Sequence, residues 1–523
     1  MTEAAENLTP RVSNSTLGDL STREKVEGKY TDEIIIGICS PIGAKKIPVI
    51  DQIKKVLKND YAYDIEVIKI SSIIDELHKV PVISIEGKTE EYSKLIHKIK
   101  GGNILRDQTK KMSILAEYAT MKINQERNAE SGGDSTEHIL SEKLKNRRKC
   151  YIIDSLKKKE EIFLLKSIYR ETFYLFSIFS PEEERHQVLR GKNLSDLEIT
   201  DLIVKDEYEG IKFGQDVRHA FVEADFFIRA SDINIKENLE SEMSRYISLM
   251  FESDIVTPYP HEMAMYKAFS AAGNSACLSR QVGASITDTD LNILSEGWND
   301  VPKYGGGLYV EGFFRDERCM HLGYCSNDQQ KDHLTEDIVN ELIQLKDLKI
   351  NAADIESAKR KIYDAVRNSK LKNLIEFSRS VHAEMHAIIR GAQLTGDKMI
   401  GGKLFCTTYP CHNCARHIIA SGIKEVYYIE PYVKSLCSTL HNDAITEDEN
   451  EKNKVKILIY NGVSPKRYLS FFSMNSKRKE KGLVKSIEKN IISPRNRIPL
   501  QALNTLELEA IKSISQSGIL NND

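Results

Sequence analysis

A chain of 523 residues, 41% hydrophobic and 29% charged, has room for two or three domains and the composition of a soluble globular protein. Its net charge of -3 gives no whole-protein basic field for non-specific nucleic-acid binding. No basic start runs into an apolar segment and no apolar run reaches membrane length, so a cytoplasmic location without a membrane partner is expected. Nine cysteines, an odd number, suit reduced thiols and a metal site better than a disulfide framework.

Residues 1–30 are polar and read as a flexible arm. The run from Ile34 to Cys39 reads as a buried strand. It enters the loop Ser40-Pro41-Ile42-Gly43-Ala44-Lys45-Lys46, and a helix with Ile50, Ile53, Val56 and Leu57 on one face follows. This is the setting of a phosphate loop at a helix N-terminus, so Gly37, Gly43, Ala44 and Lys45 are candidate nucleotide-binding residues. The pattern departs from G-x-x-x-x-G-K-[S/T]. There is one extra residue between the glycines, Ala44 precedes Lys45, and Lys46 replaces the hydroxyl residue, so ordinary phosphoryl transfer is not expected and a plain strand-to-helix turn is the structural alternative.

Cys150–Asp154 reads as a second apolar strand, with Asp154 where a P-loop fold puts its magnesium-associated Asp; a strand-end cap is the alternative. Phe173–Phe179 and residues 224–228 supply further strands. Their alternation with helices predicts an α/β, doubly wound parallel sheet over 31–240, with Ser131–Ser135 as an exposed loop. Residues 241–257 read as a linker, 258–475 as a second domain with a charged helical insert at about 335–372, and 476–523 as a tail.

In the second domain a helix from Pro260 carries Met263, Met265, Phe269 and Ala272, and a hairpin turns at Asp288-Thr289-Asp290. Cys319, His321 and Cys325 offer three ligands for a second metal, one short of a structural zinc site, so a reduced loop is the alternative.

His382-Ala383-Glu384 and Pro410-Cys411-His412-Asn413-Cys414 form H-x-E followed by P-C-x-x-C, the zinc deaminase signature. A catalytic zinc keeps three protein ligands and one position for water, and His382, Cys411 and Cys414 fit that count. Glu384 is then the proton shuttle that serves an attack on an amino-bearing ring carbon. Apolar spacing after each motif predicts that both open helices, ending at Gly391 and Gly422, with strands at Lys403–Thr408 and Val426–Ile429 on either side of the second helix.

S-R-Q-V-G-A (279–284), G-W-N-D-V-P (297–302), S-V-H-A-E-M (380–385) and Y-P-C-H-N-C (409–414), in this order, resemble the deoxycytidylate deaminase branch of the cytidine deaminase superfamily. With the P-loop kinase-like half in front, and Glu430–Ser435 and Gly462–Tyr468 behind, the chain resembles the bacterial anti-phage dCTP deaminases over about residues 33–475. The resemblance implies a C-terminal α/β/α cytidine deaminase-type sandwich, Zn2+ at His382, Cys411 and Cys414, and a nucleoside contact near Asn299. It further implies a regulatory nucleotide on the Gly37–Lys45 loop, an inhibitory small RNA or other regulator, and a homo-oligomer. The implied reaction converts deoxycytidine nucleotides, dCTP especially, to deoxyuridine nucleotides as antiviral defence. Lys434, His441, Lys466 and Arg467 are candidates for the substrate phosphates. The alternatives are a housekeeping dCMP deaminase, an RNA or DNA cytidine deaminase, and a non-enzymatic switch with structural zinc.

Overall fold

The computed structural model describes residues 21–130, 147–345, 354–432, 435–485 and 487–519. Most of the expected arm, the Ser131–Ser135 loop and Lys434 lie outside them. Strands β1 (Ile34–Cys39), β2 (Asp64–Lys69), β3 (Lys149–Asp154), β4 (Phe173–Phe179) and β5 (Phe226–Arg229) pair in parallel in the order β2-β3-β1-β4-β5. The first strand is thus central, and the chain crosses from one side of it to the other after β3. That places the loop after β1 at a topological switch point, as the expected doubly wound sheet requires.

All six residues of β1 are buried because helices cover both of its faces. Ile34, Ile36 and Ile38 pack with Val49, Ile53 and Leu57 of the Lys46–Asn59 helix, and with Met243 and Ile247 of the Leu239–Phe251 helix. Ile35 and Cys39 share the other core with Tyr118, Leu165 and Leu503, from helices Ile114–Glu130, Lys159–Tyr169 and Leu500–Ser517. The stretch read as a linker is therefore mostly a core helix.

The second sheet contains β6 (Gly283–Thr287), β7 (Ile293–Trp298), β8 (Lys403–Thr408), β9 (Glu425–Glu430), β10 (Ile445–Thr446) and β11 (Val455–Ile459), in the order β10-β11-β9-β8-β6-β7. β6 is antiparallel to both β7 and β8, and the remaining pairs are parallel. Gly283 pairs with Trp298 and Ala284 with Gly297, so Gly283 and Gly297 look to opposite faces. A helix lies hard against each. A Cβ at Gly283 would sit 1.9 Å from Ala268 O of the Pro260–Ala272 helix, and one at Gly297 would sit 2.4 Å from Ala383 O and Ala387 N of the Ala383–Thr395 helix. The second half is accordingly a three-layer α/β/α sandwich.

The halves share structure. β12 (Gly462–Val463) leaves the second half and pairs antiparallel with β5, Val463 opposite Phe226. Tyr30–Thr31 pairs with Ile498–Pro499, after which the Leu500–Ser517 helix covers the first sheet. The segment expected as a tail therefore supplies a layer of the first half's core. Among the described residues no helix is long and apolar enough to cross a membrane.

Candidate active site

Both motifs stand at helix starts. His382 is the N-cap of the Ala383–Thr395 helix, with extended backbone, and Cys411 is the N-cap of the His412–Ala420 helix, where its Sγ accepts from Cys414 N–H at 3.4 Å. An N-cap position puts free N–H groups and the positive helix end beside anionic ligands. The first helix runs past Gly391 to Thr395 and ends at Gly396, in contrast to the expected stop at Gly391. Gly391 serves packing instead: a Cβ there would sit 2.8 Å from Met399 Cε and 3.1 Å from Ser295 Oγ.

His382 Nδ1 lies 3.3 Å from both Cys411 Sγ and Cys414 Sγ, and the three donor atoms fall within 4.8 Å of one another. An N and an S ligand on tetrahedral zinc stand about 3.5 Å apart, so the set fits a zinc ion. It is the one group of three or more such donors among the described residues. The three are strongly coupled. Hydrogen bonding from Cys414, opposed by burial and aided by His382, pulls the Cys411 thiol down to about 4. Burial lowers His382, but Cys411 outweighs it and carries the imidazole up to about 9. Burial and Cys411 push the Cys414 thiol well up.

Glu384 is 4% exposed in the first turn of its helix, and burial and then Cys411 raise its carboxyl. It lines a cavity of ≈ 240 Å³ together with His382, Cys411, Arg280, Asn299, Thr408, Tyr409 and Tyr432. The wall opposite the metal motifs is held by the G-W-N-D stretch. Asn299 Oδ1 accepts from Val282 N–H and its Nδ2 donates to Arg280 O, both at 2.8 Å, while Asp300 Oδ2 accepts from Ala276 N–H at 2.9 Å. Asn299 thus lines the cavity while its amide bonds to the wall's backbone.

Arg280 is the cation that residue-level reasoning missed. It stands 43% exposed at the cavity, 3.3 Å from Glu430 Oε1, and the signal for it was its place inside S-R-Q-V-G-A. His441 ends the Cys437–Leu440 helix and is not among the cavity's residues. Lys466 and Arg467 lie at the seam between the halves, 3.4 Å from Glu223 and 3.3 Å from Asp225. Cys319, His321 and Cys325 are not gathered as a ligand group; His321 pairs with Asp316 at 3.3 Å. The Ser326–Gln344 helix begins ahead of the expected insert at about 335–372 and runs into it; its Asn327, before the insert, reaches the cavity.

The loop of the first half is closed by side chains from other elements of that half. Ile42 N–H donates to Asp206 Oδ2 at 2.7 Å and Lys45 N–H to Ser180 Oγ at 3.1 Å, while Ala44 N–H and Lys46 N–H turn back to Pro41 O and Ala44 O. Lys45 Nζ pairs with Glu184 and Asp232, each at 2.7 Å, and Lys46 Nζ binds Asp154 Oδ1 at 2.6 Å. Gly43 has φ +80, a conformation that suits glycine, with Arg185 O 2.9 Å from where a Cβ would stand. Gly37 lies inside β1, where a Cβ would meet Phe173 Cζ at 2.7 Å and Leu156 Cδ1 at 2.8 Å. It makes room for the strand's neighbours and stands apart from the loop.

A His-Cys-Cys donor set at two helix starts, with a buried carboxylate beside it, is the arrangement of ligands and proton shuttle that zinc deaminases use. Residues 258–430 match the family model for the cytidine and deoxycytidylate deaminase zinc-binding region. The chain is 28% identical over 170 residues to the deoxycytidylate deaminase of Enterobacteria phage T2, covering 32% of this chain and 78% of that protein. It is 44% identical over 55 residues to ComE operon protein 2 of Bacillus subtilis (strain 168), which is 10% of this chain and 29% of that protein's length. Among solved structures, the dCMP deaminase from the cyanophage S-TIM5 in complex with dCMP and dUMP aligns at 21% identity over 39% of this chain and 99% of that chain, with a TM-score of 0.22.

Proposed function

We propose that the chain is a zinc-dependent deaminase that hydrolyses free deoxycytidine nucleotides, dCTP foremost, to deoxyuridine nucleotides, and that the resulting loss of dCTP is a defence against phage. The observation that carries the reading is the cavity lined by His382, Cys411 and Glu384, with Cys414 completing the donor set. His382 Nδ1, Cys411 Sγ and Cys414 Sγ would hold the zinc, which supplies the Lewis acidity that brings a water's pKa to about 7. Glu384, fixed in the first turn of its helix, would carry the two protons of the attacking water in turn, the first to the ring nitrogen and the second to the amino group, which departs as ammonia.

Val282, Asn299 and Tyr432 shape the slot for the pyrimidine. Arg280, ion-paired with Glu430 among the described residues, offers a guanidinium to the phosphates at the slot's edge. The choice of a deoxycytidine nucleotide is supported by the four motifs and by the phage deoxycytidylate deaminase match; the preference for dCTP and the defence role rest on the resemblance of the chain as a whole. The first half's loop does not fit a nucleotide's phosphates in this form, since Asp206 and Ser180 already hold the N–H groups that would cradle them. No step of the reaction passes through it.

The test supplies dCTP, dCMP, CTP, deoxycytidine and single-stranded DNA separately to the wild-type chain and to Glu384→Gln, with uracil product and zinc content measured. Wild type is expected to deaminate free deoxycytidine nucleotides, dCTP fastest. Glu384→Gln is expected to keep its zinc and lose turnover by roughly 10²–10⁴-fold, the usual contribution of a positioned acid/base. Undiminished turnover in the variant overturns the mechanism, and activity confined to DNA overturns the substrate.

A further inference from the structure

The seam between the halves holds a second cavity, of ≈ 390 Å³, at the edge of the first sheet opposite the Ser40–Lys46 loop. Its walls are Lys166 and Arg170 at the end of the Lys159–Tyr169 helix, Phe173 at the start of β4, residues 223–225 ahead of β5, and Lys466 and Arg467 after β12. Four basic and three acidic side chains face it. The acids are already engaged. Glu223 stands 3.7 Å from Lys166 and 3.4 Å from Lys466. Asp225 accepts Leu175 N–H at 2.7 Å and faces Arg467 Nε at 3.3 Å, and Glu171 pairs with Arg467.

Arg170 is the unspent charge: among the described residues no carboxylate pairs with it. Its backbone is also strained, with φ 50 and ψ −127, a region that glycine enters freely and arginine resists. Such outliers persist where the surrounding structure enforces them, and they concentrate at ligand clamps. Arg467 Nε, though ion-paired with Asp225, makes no hydrogen bond of good geometry there. The negative end of the Lys159–Tyr169 helix points toward this region, but Arg170 itself sits at that end and offsets it.

We propose that this cavity binds the phosphate of a small anion, up to nucleoside monophosphate size, with Arg170 as the clamp and Lys466 and Arg467 as further donors. Guanidinium groups match phosphate oxygens in pairs, the volume suits a small ligand, and the Phe173 ring offers an apolar wall. The site is separate from the deaminase cavity and does not depend on the reading of that cavity.

The experiment is calorimetric titration of the full chain with inorganic phosphate and, in a second arm, with adenosine monophosphate. An Arg280→Ala background keeps the deaminase cavity from taking up the phosphate. Tighter binding of the nucleotide shows that the apolar wall reads more than phosphate, and equal binding shows that phosphate alone is recognised; both support the site. Arg170→Glu and Lys466→Glu are each expected to weaken the probe by about tenfold or more, the scale of a lost charge-assisted contact, while Lys45→Ala leaves it unchanged. Arg170→Gly separates binding from folding: it should raise the thermal unfolding midpoint by relieving the backbone and still weaken the probe. Wild-type binding in the Arg170 variants, or no binding of either probe at millimolar concentration, overturns the proposal.

Discussion

Replacing Glu507 by Ala asks how firmly the C-terminal helix belongs to the first half's core. Glu507 is fully buried, accepting from Arg127 Nη1 and from Asn124 Nδ2 at 3.0 Å. Arg127, 3% exposed, also binds Glu33 through Nη2 at 2.6 Å and Nε at 3.0 Å, and Arg147 joins Glu33 at 2.8 Å. Arg127 is shared between the two carboxylates, so Glu507→Ala removes one of its two partners and leaves Arg127 Nη1 unmet, while Asn124 Nδ2 keeps Asn504 Oδ1 at 3.1 Å. Breaking a buried pair costs about 3–5 kcal/mol, and because Glu33 still holds Arg127 the lower end applies, about 3 kcal/mol. At 1.36 kcal/mol per tenfold, that is roughly a hundredfold rise in local opening. Native-state hydrogen exchange read on peptides from Ile114–Glu130 should show that acceleration, with Ala383–Thr395 unaffected. Glu507→Gln, which keeps the shape and one acceptor, should fall between. Exchange within about threefold of wild type would show that the helix is not integral to this core.

Gly297→Ala should push the Ala383–Thr395 helix off β7, since the added Cβ meets backbone at 2.4 Å. We expect destabilisation of about 1–3 kcal/mol by overpacking, and because the helix carries His382 and Glu384, a turnover loss on the order of 10²-fold, checked by denaturant unfolding and steady-state assay. Glu33 gives a pH dependence with a definite sign. Burial raises its carboxyl, but Arg127 and then Arg147 outweigh burial and hold it below 4.5. Its stabilisation is therefore complete above 4.5 and lost as pH falls through the folded value; unfolding measured at successively lower pH should show this loss in wild type and not in Glu33→Gln.

The local rules that make a motif visible also set what the sequence concealed. β1, β3 and β4 were legible because strands buried on both faces read as unbroken apolar runs, as in Phe173–Phe179. β2 was not, because this edge strand, Asp64–Lys69, alternates charged and apolar residues and buries only Ile68. The metal donors were legible because helix N-caps fix their spacing: Cys411 and Cys414 fall one turn apart, and His382 opens its own helix. The pocket's opposite wall was not legible in detail, since Asn299 and Asp300 act through backbone groups of residues 276–282 that no spacing rule connects to them. Lys466 and Arg467 were misplaced for a related reason: nothing local shows that Gly462–Val463 crosses to the first sheet and carries the next residues with it.

That crossing bears on whether the two halves act as one body, and Glu262 is where the question can be put. It is 1% exposed on the Pro260–Ala272 helix, whose Ala268 lies on β6. Its carboxylate accepts from Arg245 Nη1 at 2.9 Å and Nη2 at 2.6 Å, on a helix packed against the first sheet. It also accepts Val463 N–H of β12 at 3.0 Å and Tyr259 N–H at 2.7 Å. One buried side chain thus ties a helix of the first half, the crossing strand and the helix that backs the deaminase sheet. Glu262→Ala leaves a guanidinium and two backbone donors unmet, a cost of about 3–5 kcal/mol concentrated at the joint. On heating, wild type is expected to lose helical circular dichroism and zinc retention in one coincident transition, and Glu262→Ala to separate them, because each half keeps its own core but loses the shared anchor. Two separate transitions already present in wild type, or one coincident transition surviving in the variant, would mean that the joint does not couple the halves.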